Sequence, residues 1–368
     1  MNLQPTVSTY NVVERAQGLY KITTDIFEWS KKTEVVSPIE MARRQFSNVP
    51  CEGTLCIPGA GIGTFVVAAL EAGFDPEKIT AVEIERSAYE IGSAIYRRFG
   101  VNYVLADFLD WNPSMQFDVI VGNPPYSLPK GDNTLSKGKN LAIRFIEKSA
   151  ELLAEGGHIS MVTPYNFLKP VNSSRPSQRY KSMEGLSLLR VETGAERTWF
   201  PNIGTKICVW WAQKGEKSET ISLNNHKWDL NEIPFIVDLN SDELDVFQRL
   251  WKRMKAGPNP VRCAHIKDGN QLPEEGWSMT ERVNRRYGKE FIVPWGPEPV
   301  REKYEQIHIS LSPEKAKELF SQLHVRFFVK ATNIEPTVYH HLFNGLDFGP
   351  LRITKADQEI MTSYLNKP

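Results

Sequence analysis

The segment FDVIVGNPPYSLP, Phe117–Pro129, decides how the chain is read. Phe117, Val119, Ile120 and Val121 have the apolar, β-branched character of a buried strand. The strand runs into Gly122, then a carboxamide, two prolines and a tyrosine. Asn-Pro and Pro-Pro also fit an ordinary turn, so the neighbouring segments must choose between a turn and a built site.

Upstream, strands and helices alternate. GTLCIPGAGIGTFVVAALEAG (53–73) reads as strand, glycine loop and helix, and KITAVEIERSAYEIGSAIYRRFG (78–100) as strand, turn and helix. VNYVLADFLDW (101–111) is a strand ending in an acid. Downstream, NLAIRFIEKSAELLAEGG (140–157) has helical periodicity with Gly156 and Gly157 as a stop signal, and HISMVTPYNFL (158–168) is a further buried strand. LSLLRVET (186–193) and KICVWWAQK (206–214) complete the set. The pattern predicts an α/β fold with a Rossmann-like, doubly wound, mostly parallel sheet. Toward the N-terminus, VSPIEMARRQF (36–46) predicts a helix with Ser37 as N-cap and Pro38 at its first position.

The charged run QKGEKSETIS (213–222) places a domain boundary near 215, giving domains of 1–215 and 216–368. The second half is less regular, and a mixed α+β fold is expected there. Lys+Arg and Asp+Glu both number 44, so a nucleic-acid partner needs local basic patches rather than a basic chain. No apolar run is long enough to span a bilayer, and MNLQPTVSTY (1–10) lacks the apolar core of an export signal. Cys51, Cys56, Cys208 and Cys263 show no metal-ligand spacing, and no metal is expected. A reducing, cytoplasmic setting and no membrane partner follow as expectations.

Pro58, Gly59, Gly61 and Gly63 surround a strand-to-helix turn where glycine admits close backbone approach and the helix start favours an anion. Glu83 stands 20 residues after Gly63, with Ile84 beside it, at a spacing suited to a ribose-binding acid. Asp107 ends the third strand and can accept from an adenine amine, with Phe108 packing on the ring. Each of these also has a plain reading, as a tight turn, a solvated acid or a capping acid. Together with Asn123 they all follow the carboxyl ends of consecutive parallel strands, the edge where open α/β sheets bind ligands.

An adenosine cofactor beside Asn123 suggests transfer to an amine. An aromatic amine is a poor nucleophile because its lone pair is delocalised. The side-chain carbonyl of Asn123 and the main-chain carbonyl of Pro124 can hold its two N–H bonds, and Pro124 and Pro125 fix their spacing. Tyr126 can stack on the base, a contact worth about 1–3 kcal/mol.

With these residues the chain resembles the S-adenosyl-L-methionine-dependent DNA amino-methyltransferases, whose catalytic signature is NPPY. The order VSPIEM, PGAGIG, Glu83, Asp107-Phe108, NPPY is similar to the γ class, the TaqI-type adenine-N6 enzymes, over about residues 30–212. The resemblance implies that Ser37 and the glycine loop lie near the methionine end of the cofactor and Glu83 binds its ribose. It implies that Asp107 and Phe108 bind its adenine, and that Asn123, Pro124 and Tyr126 hold a flipped base. In TWFPNIGTKICVWW (198–211) it makes Phe200 the second stacking face. Neither a metal nor a covalent enzyme intermediate is needed. One departure is Ile57, where the family often has an acid near the methionine ammonium.

The partner implied is double-stranded DNA, read by a target-recognition domain in the second half. A monomer, with any restriction endonuclease on a separate chain, fits this organisation. Lys130, Lys137 and Lys139 in the loop after NPPY, and Arg282, Arg285, Arg286 and Lys289 in ERVNRRYGKE (281–290), are candidate phosphate and base contacts. They read equally as solvated basic residues. RNA adenine and protein glutamine are alternative acceptors, the latter usually with the extra domain ahead of the catalytic one. A non-catalytic binding module on the same fold is the alternative of another class.

Overall fold

Apolar β-branched runs form the strands of a central sheet, and amphipathic segments cover it. The structure, a computed structural model, describes residues 7–26, 37–126, 141–168, 183–200, 204–261, 263–265, 277–284, 288–292, 306–309, 315, 318–319, 321–332, 345–349 and 351–367. In chain order the first part contains α1 (Val7–Ile26), α2 (Ile39–Phe46), β1 (Leu55–Pro58), α3 (Thr64–Glu71), β2 (Ile79–Glu83), α4 (Arg86–Tyr96) and β3 (Asn102–Leu105). β4 (Phe117–Gly122), α5 (Leu141–Leu152), β5 (Leu153–Pro164), β6 (Leu186–Thr193), α6 (Ala195–Trp199), β7 (Ile207–Lys214), β8 (Thr220–Leu223) and β9 (His226–Asp229) follow.

These strands make a nine-stranded sheet in the order β3-β2-β1-β4-β5-β7-β6-β8-β9. The first five in that order are parallel, and β7 runs antiparallel between β5 and β6. The expected α/β sheet is present. All residues of β1 and β2 are buried, as two covered faces require. Met41, Ala42 and Phe46 of α2 pack in one core with β1, α3 and β7.

Several local expectations need correction. α2 begins at Ile39, and Pro38 occupies the N-cap without a side-chain cap. Ser37 is therefore not the cap, and its hydroxyl is engaged elsewhere. α5 stops at Leu152, ahead of the glycine pair, because Leu153 already pairs with Phe117 in the sheet. Gly156, at φ 74°, then lies within β5, where the register against β4 shifts.

The chain divides into two compact units, Met1–Phe167 with Arg179–Leu223, and Leu168–Gln178 with Asn224–Pro368. The expected boundary at 215 falls too early. β8 pairs with β6, so the charged run leads back into the sheet. Asn224 and Asn225, at φ 49° and 67°, turn the chain from β8 to β9.

The second unit contains α7 (Ser241–Ala256), β10 (Cys263–His265), β11 (Trp277–Asn284), β12 (Gly288–Ile292), β13 (Gln306–Ile309), α8 (Leu323–Thr332) and α9 (Lys355–Leu365). Its strands form an antiparallel sheet, β10-β13-β11-β12, so the mixed α+β expectation holds. α7 starts with a reciprocal capping box between Asn240 and Glu243. Phe247 stacks on Phe328 at 5.2 Å, and Phe235 meets Trp251 edge-on at 5.3 Å. Trp228 of β9 joins this cluster, 6.1 Å from Phe247.

Candidate active site

The parallel strands end together. Register pairs Pro58 with Val82 and Glu83 with Leu105. β4 pairs with β1 through Leu55–Val119 and Cys56–Ile120. A Cβ on Gly122 would lie 3.0 Å from the Pro58 carbonyl oxygen, a tight contact that glycine relieves. The glycine loop, Glu83, Asp107 and Asn123 thus share one sheet edge, as the sequence predicts.

Glu83 clamps the loop. Its side chain is only 7% exposed, one oxygen accepts the Gly61 N–H at 2.7 Å and the other the Glu85 N–H at 2.7 Å. The Tyr103 hydroxyl donates to the Gly61 carbonyl at 2.8 Å. The Gly61 peptide is therefore held from both sides. Sequence reading missed Tyr103, a strand residue whose role depends on a contact 42 positions away.

The glycines have different uses. A Cβ on Gly59 or Gly61 would meet nothing within 4 Å, and both have positive φ. These positions face open space, suited to a ligand against bare backbone. Gly63 does not: at φ 104° its Cβ would lie 2.2 Å from the Tyr96 ring. It lets α3 start against α4. Gly63→Ala is expected to lower stability by about 1–3 kcal/mol through overpacking, measured by urea unfolding.

The sheet edge fits an adenosyl group. Ile84, beside the Glu83 carboxylate, is 64% exposed. Carboxylate oxygens each accept more than one hydrogen bond, so clamping the loop and binding a ribose are compatible. Asp107 accepts the Leu109 N–H at 2.9 Å, a turn bond, and stands at the end of the adjoining strand.

Phe108 is not displayed at this edge. It is 3% exposed and stacks on Phe145 of α5 at 5.2 Å. Its expected packing on an adenine gives way to a core role, because a helix 37 positions on (145 − 108) covers it. Ile57 is fully buried in the core with β1 and α3.

At the end of β4, Pro124 is buried and Pro125 exposed. The Asn123 amide Nδ2 donates to Ser37 Oγ at 3.0 Å, and its Oδ1 accepts the Tyr126 hydroxyl at 2.9 Å. Burial pushes the Tyr126 hydroxyl pKa up, so it remains a neutral donor. The Tyr126 ring is half-buried against the apolar cluster that also contains Phe200. Phe200 is 6% exposed at the end of α6 and is a core side chain in this structure.

Residues 77–188 match the Eco57I restriction-modification methylase family. That methylase segment contains Glu83, Asp107 and the whole Asn123–Tyr126 motif. The chain is 36% identical over 141 residues to the Type II methyltransferase M.TthHB8I of Thermus thermophilus, covering 33% of this chain and 32% of that protein. It is 35% identical over 169 residues to the modification methylase CviBIII of Paramecium bursaria Chlorella virus NC1A, covering 44% and 43%. It is also 31% identical over 149 residues to a release factor glutamine methyltransferase of Pasteurella multocida, covering 36% and 48%. The chain spans less than half the length of each of these relatives. S-adenosyl-L-methionine is the cofactor these methylase likenesses imply.

Lys130, Lys137, Lys139, Arg285 and Arg286 lie outside the described residues. Arg282 and Lys289 sit on the paired strands β11 and β12, opposite Glu290 and Val283 respectively. In WKRMK (251–255), Trp251 and Met254 form the buried face of α7. Lys252 pairs with Glu232 at 3.4 Å, and Arg253 donates to the Arg352 carbonyl. Among the described residues, no helix is long and apolar enough to cross a membrane, and no cluster of three or more His, Cys, Asp or Glu could hold a metal.

Proposed function

We propose that this protein methylates the N6 amine of adenine at specific sites in double-stranded DNA. The observation that carries the reading is the Asn123 carboxamide. It stands at the end of β4 with its carbonyl engaged by an O–H donor, one strand from the glycine loop. An acceptor placed for an O–H serves an amine N–H equally well.

S-adenosyl-L-methionine, when bound, supplies an electrophilic methyl group. Glu83 and the bare backbone of Gly59 and Gly61 hold it, with Asp107 at the adenine end. Asn123 and the Pro124 carbonyl hold the two amine hydrogens and draw the nitrogen lone pair out of conjugation. Pro124 and Pro125 keep these acceptors in place before the substrate arrives. A base within a duplex must be flipped out, at a cost of a few kcal/mol. Tyr126 offsets part of that cost by stacking, with Phe200 as the second face. The second unit reads the target sequence, through basic residues that include Arg282 and Lys289. The chain acts as a monomer in the cytoplasm, and any cognate endonuclease is a separate chain.

The test uses labelled S-adenosylmethionine with unmethylated DNA, RNA and protein in parallel. Label in DNA at N6-methyladenine is expected. Label in RNA alone or protein alone overturns the reading. The glutamine methyltransferase likeness supports protein as the second candidate. Tyr126→Phe keeps the ring and is expected to retain activity within about tenfold. Tyr126→Ala loses the stacking and with it about 1–3 kcal/mol of transition-state binding. The kcat/KM ratio of the two variants on one duplex checks this.

A further inference from the structure

Resting on the amino-methyltransferase reading, we infer that Ser37 is a positioning residue for Asn123. It fixes which end of the carboxamide faces the target amine. A carboxamide has two ends of nearly equal size and opposite chemistry. Turning it by half a revolution about its last bond replaces the acceptor with an N–H donor. Presented to an amine, that donor meets another N–H and catalysis loses its acceptor. An asparagine at this position therefore needs something to hold its orientation, and the prolines that follow fix only the backbone.

Ser37 supplies the hold. Its side chain is buried, 8% exposed, and its Oγ accepts the Nδ2–H of Asn123 at 3.0 Å across 86 positions of sequence. The hydroxyl does not cap α2, which begins two residues later with Pro38 as its cap. On the other side Tyr126 donates to Oδ1 at 2.9 Å. The direction of this relay follows from acidity. A phenol is the stronger donor and an aliphatic hydroxyl the stronger acceptor. The arrangement Tyr126 to Asn123 to Ser37 therefore keeps Oδ1 forward and Nδ2 anchored behind. Oδ1 has two lone pairs, so an incoming amine can share it or replace the phenol while Ser37 keeps its grip.

The experiment measures single-turnover methyl transfer to unmethylated duplex DNA, with cofactor affinity by calorimetry. Ser37→Ala is expected to slow transfer about 10- to 100-fold, the scale of a misplaced catalytic group. Its cofactor Kd should stay within about threefold and its melting temperature close to wild type. Ser37→Thr, which keeps the hydroxyl, should recover most of the rate. A carboxylate has no wrong end, so in an Asn123→Asp background Ser37→Ala should change the rate by no more than about twofold, the range of independent sites. A Ser37→Ala variant as fast as wild type overturns the inference. So does one that weakens cofactor binding with the saturated rate unchanged, since Ser37 would then be a cofactor contact only. Equal losses in both backgrounds also overturn it. If Asn123→Asp is too slow to measure, Ser37→Thr decides: a loss as deep as that of Ser37→Ala sinks the orientation role. If wild type transfers no methyl group to DNA, RNA or protein, the functional reading falls and this inference with it. If wild type is active and Ser37→Ala matches it, the inference falls alone.

Discussion

Asn123→Ala should lower the rate of methyl transfer about 100- to 1000-fold, the range seen when one preorganised polar group is removed from a transition state. The substitution removes the side-chain acceptor and leaves the Pro124 carbonyl. The amine then keeps one held N–H, and its lone pair stays largely in conjugation. Cofactor affinity should change little, because Glu83 and the glycine loop are on β1 and β2. Stability should fall by about 1–3 kcal/mol, because Ser37 and Tyr126 lose their partner. A normal cofactor isotherm with a collapsed single-turnover rate is therefore the expected signature. Loss of cofactor binding together with rate would show that Asn123 belongs to the cofactor half of the site.

Glu83→Ala should act in the opposite way, weakening S-adenosylmethionine binding roughly 100- to 10,000-fold. This follows from losing two hydrogen bonds to a charged acceptor at about 1.5–3 kcal/mol each. The variant also releases the Gly61 and Glu85 N–H groups that the carboxylate now takes. Part of the loss is thus a loop no longer held in the binding shape. Glu83→Gln separates the two contributions. It keeps one carbonyl acceptor and the side-chain volume, so the loop is better preserved while the charge is gone. Calorimetry with S-adenosylmethionine and S-adenosylhomocysteine is the check, since both carry the ribose. Unchanged affinity in Glu83→Ala would overturn the assignment.

The sheet and its edge were legible because each of the first four strands is apolar and ends in a residue of distinct chemistry. Pro58, Glu83, Asp107 and Asn123 fall at those ends whatever the packing. What the sequence concealed was set by distant partners. Phe108 looks like an exposed aromatic after a strand, and Phe145 of α5 and Trp111 make it a core residue. Gly63 looks like its neighbours in the loop, and only Tyr96 distinguishes its purpose. Ser37 before Pro-Ile-Glu has the appearance of a helix cap, and its actual partner is 86 residues away. The domain boundary was misplaced because β8 and β9 are short and largely polar, with none of the apolar run that marked the inner strands. Phe200 shows the limit most clearly. Its motif suggests a base-stacking ring, whereas its surroundings bury it.

The contact between Gly122 and Pro58 sets a gauge for the chemistry. The donor half of the site hangs from β1 and β2, and the acceptor half from β4, the next strand over. The strands β1 and β4 that carry the two proposed halves are neighbours, about 4.8 Å apart in backbone spacing. The ladder between them pairs Leu55 with Val119 and Cys56 with Ile120, two residues before that contact. A bulkier residue at Gly122 would leave both halves intact and chemically complete. It would spoil only the span between them, and the cost would appear in the rate rather than in either affinity.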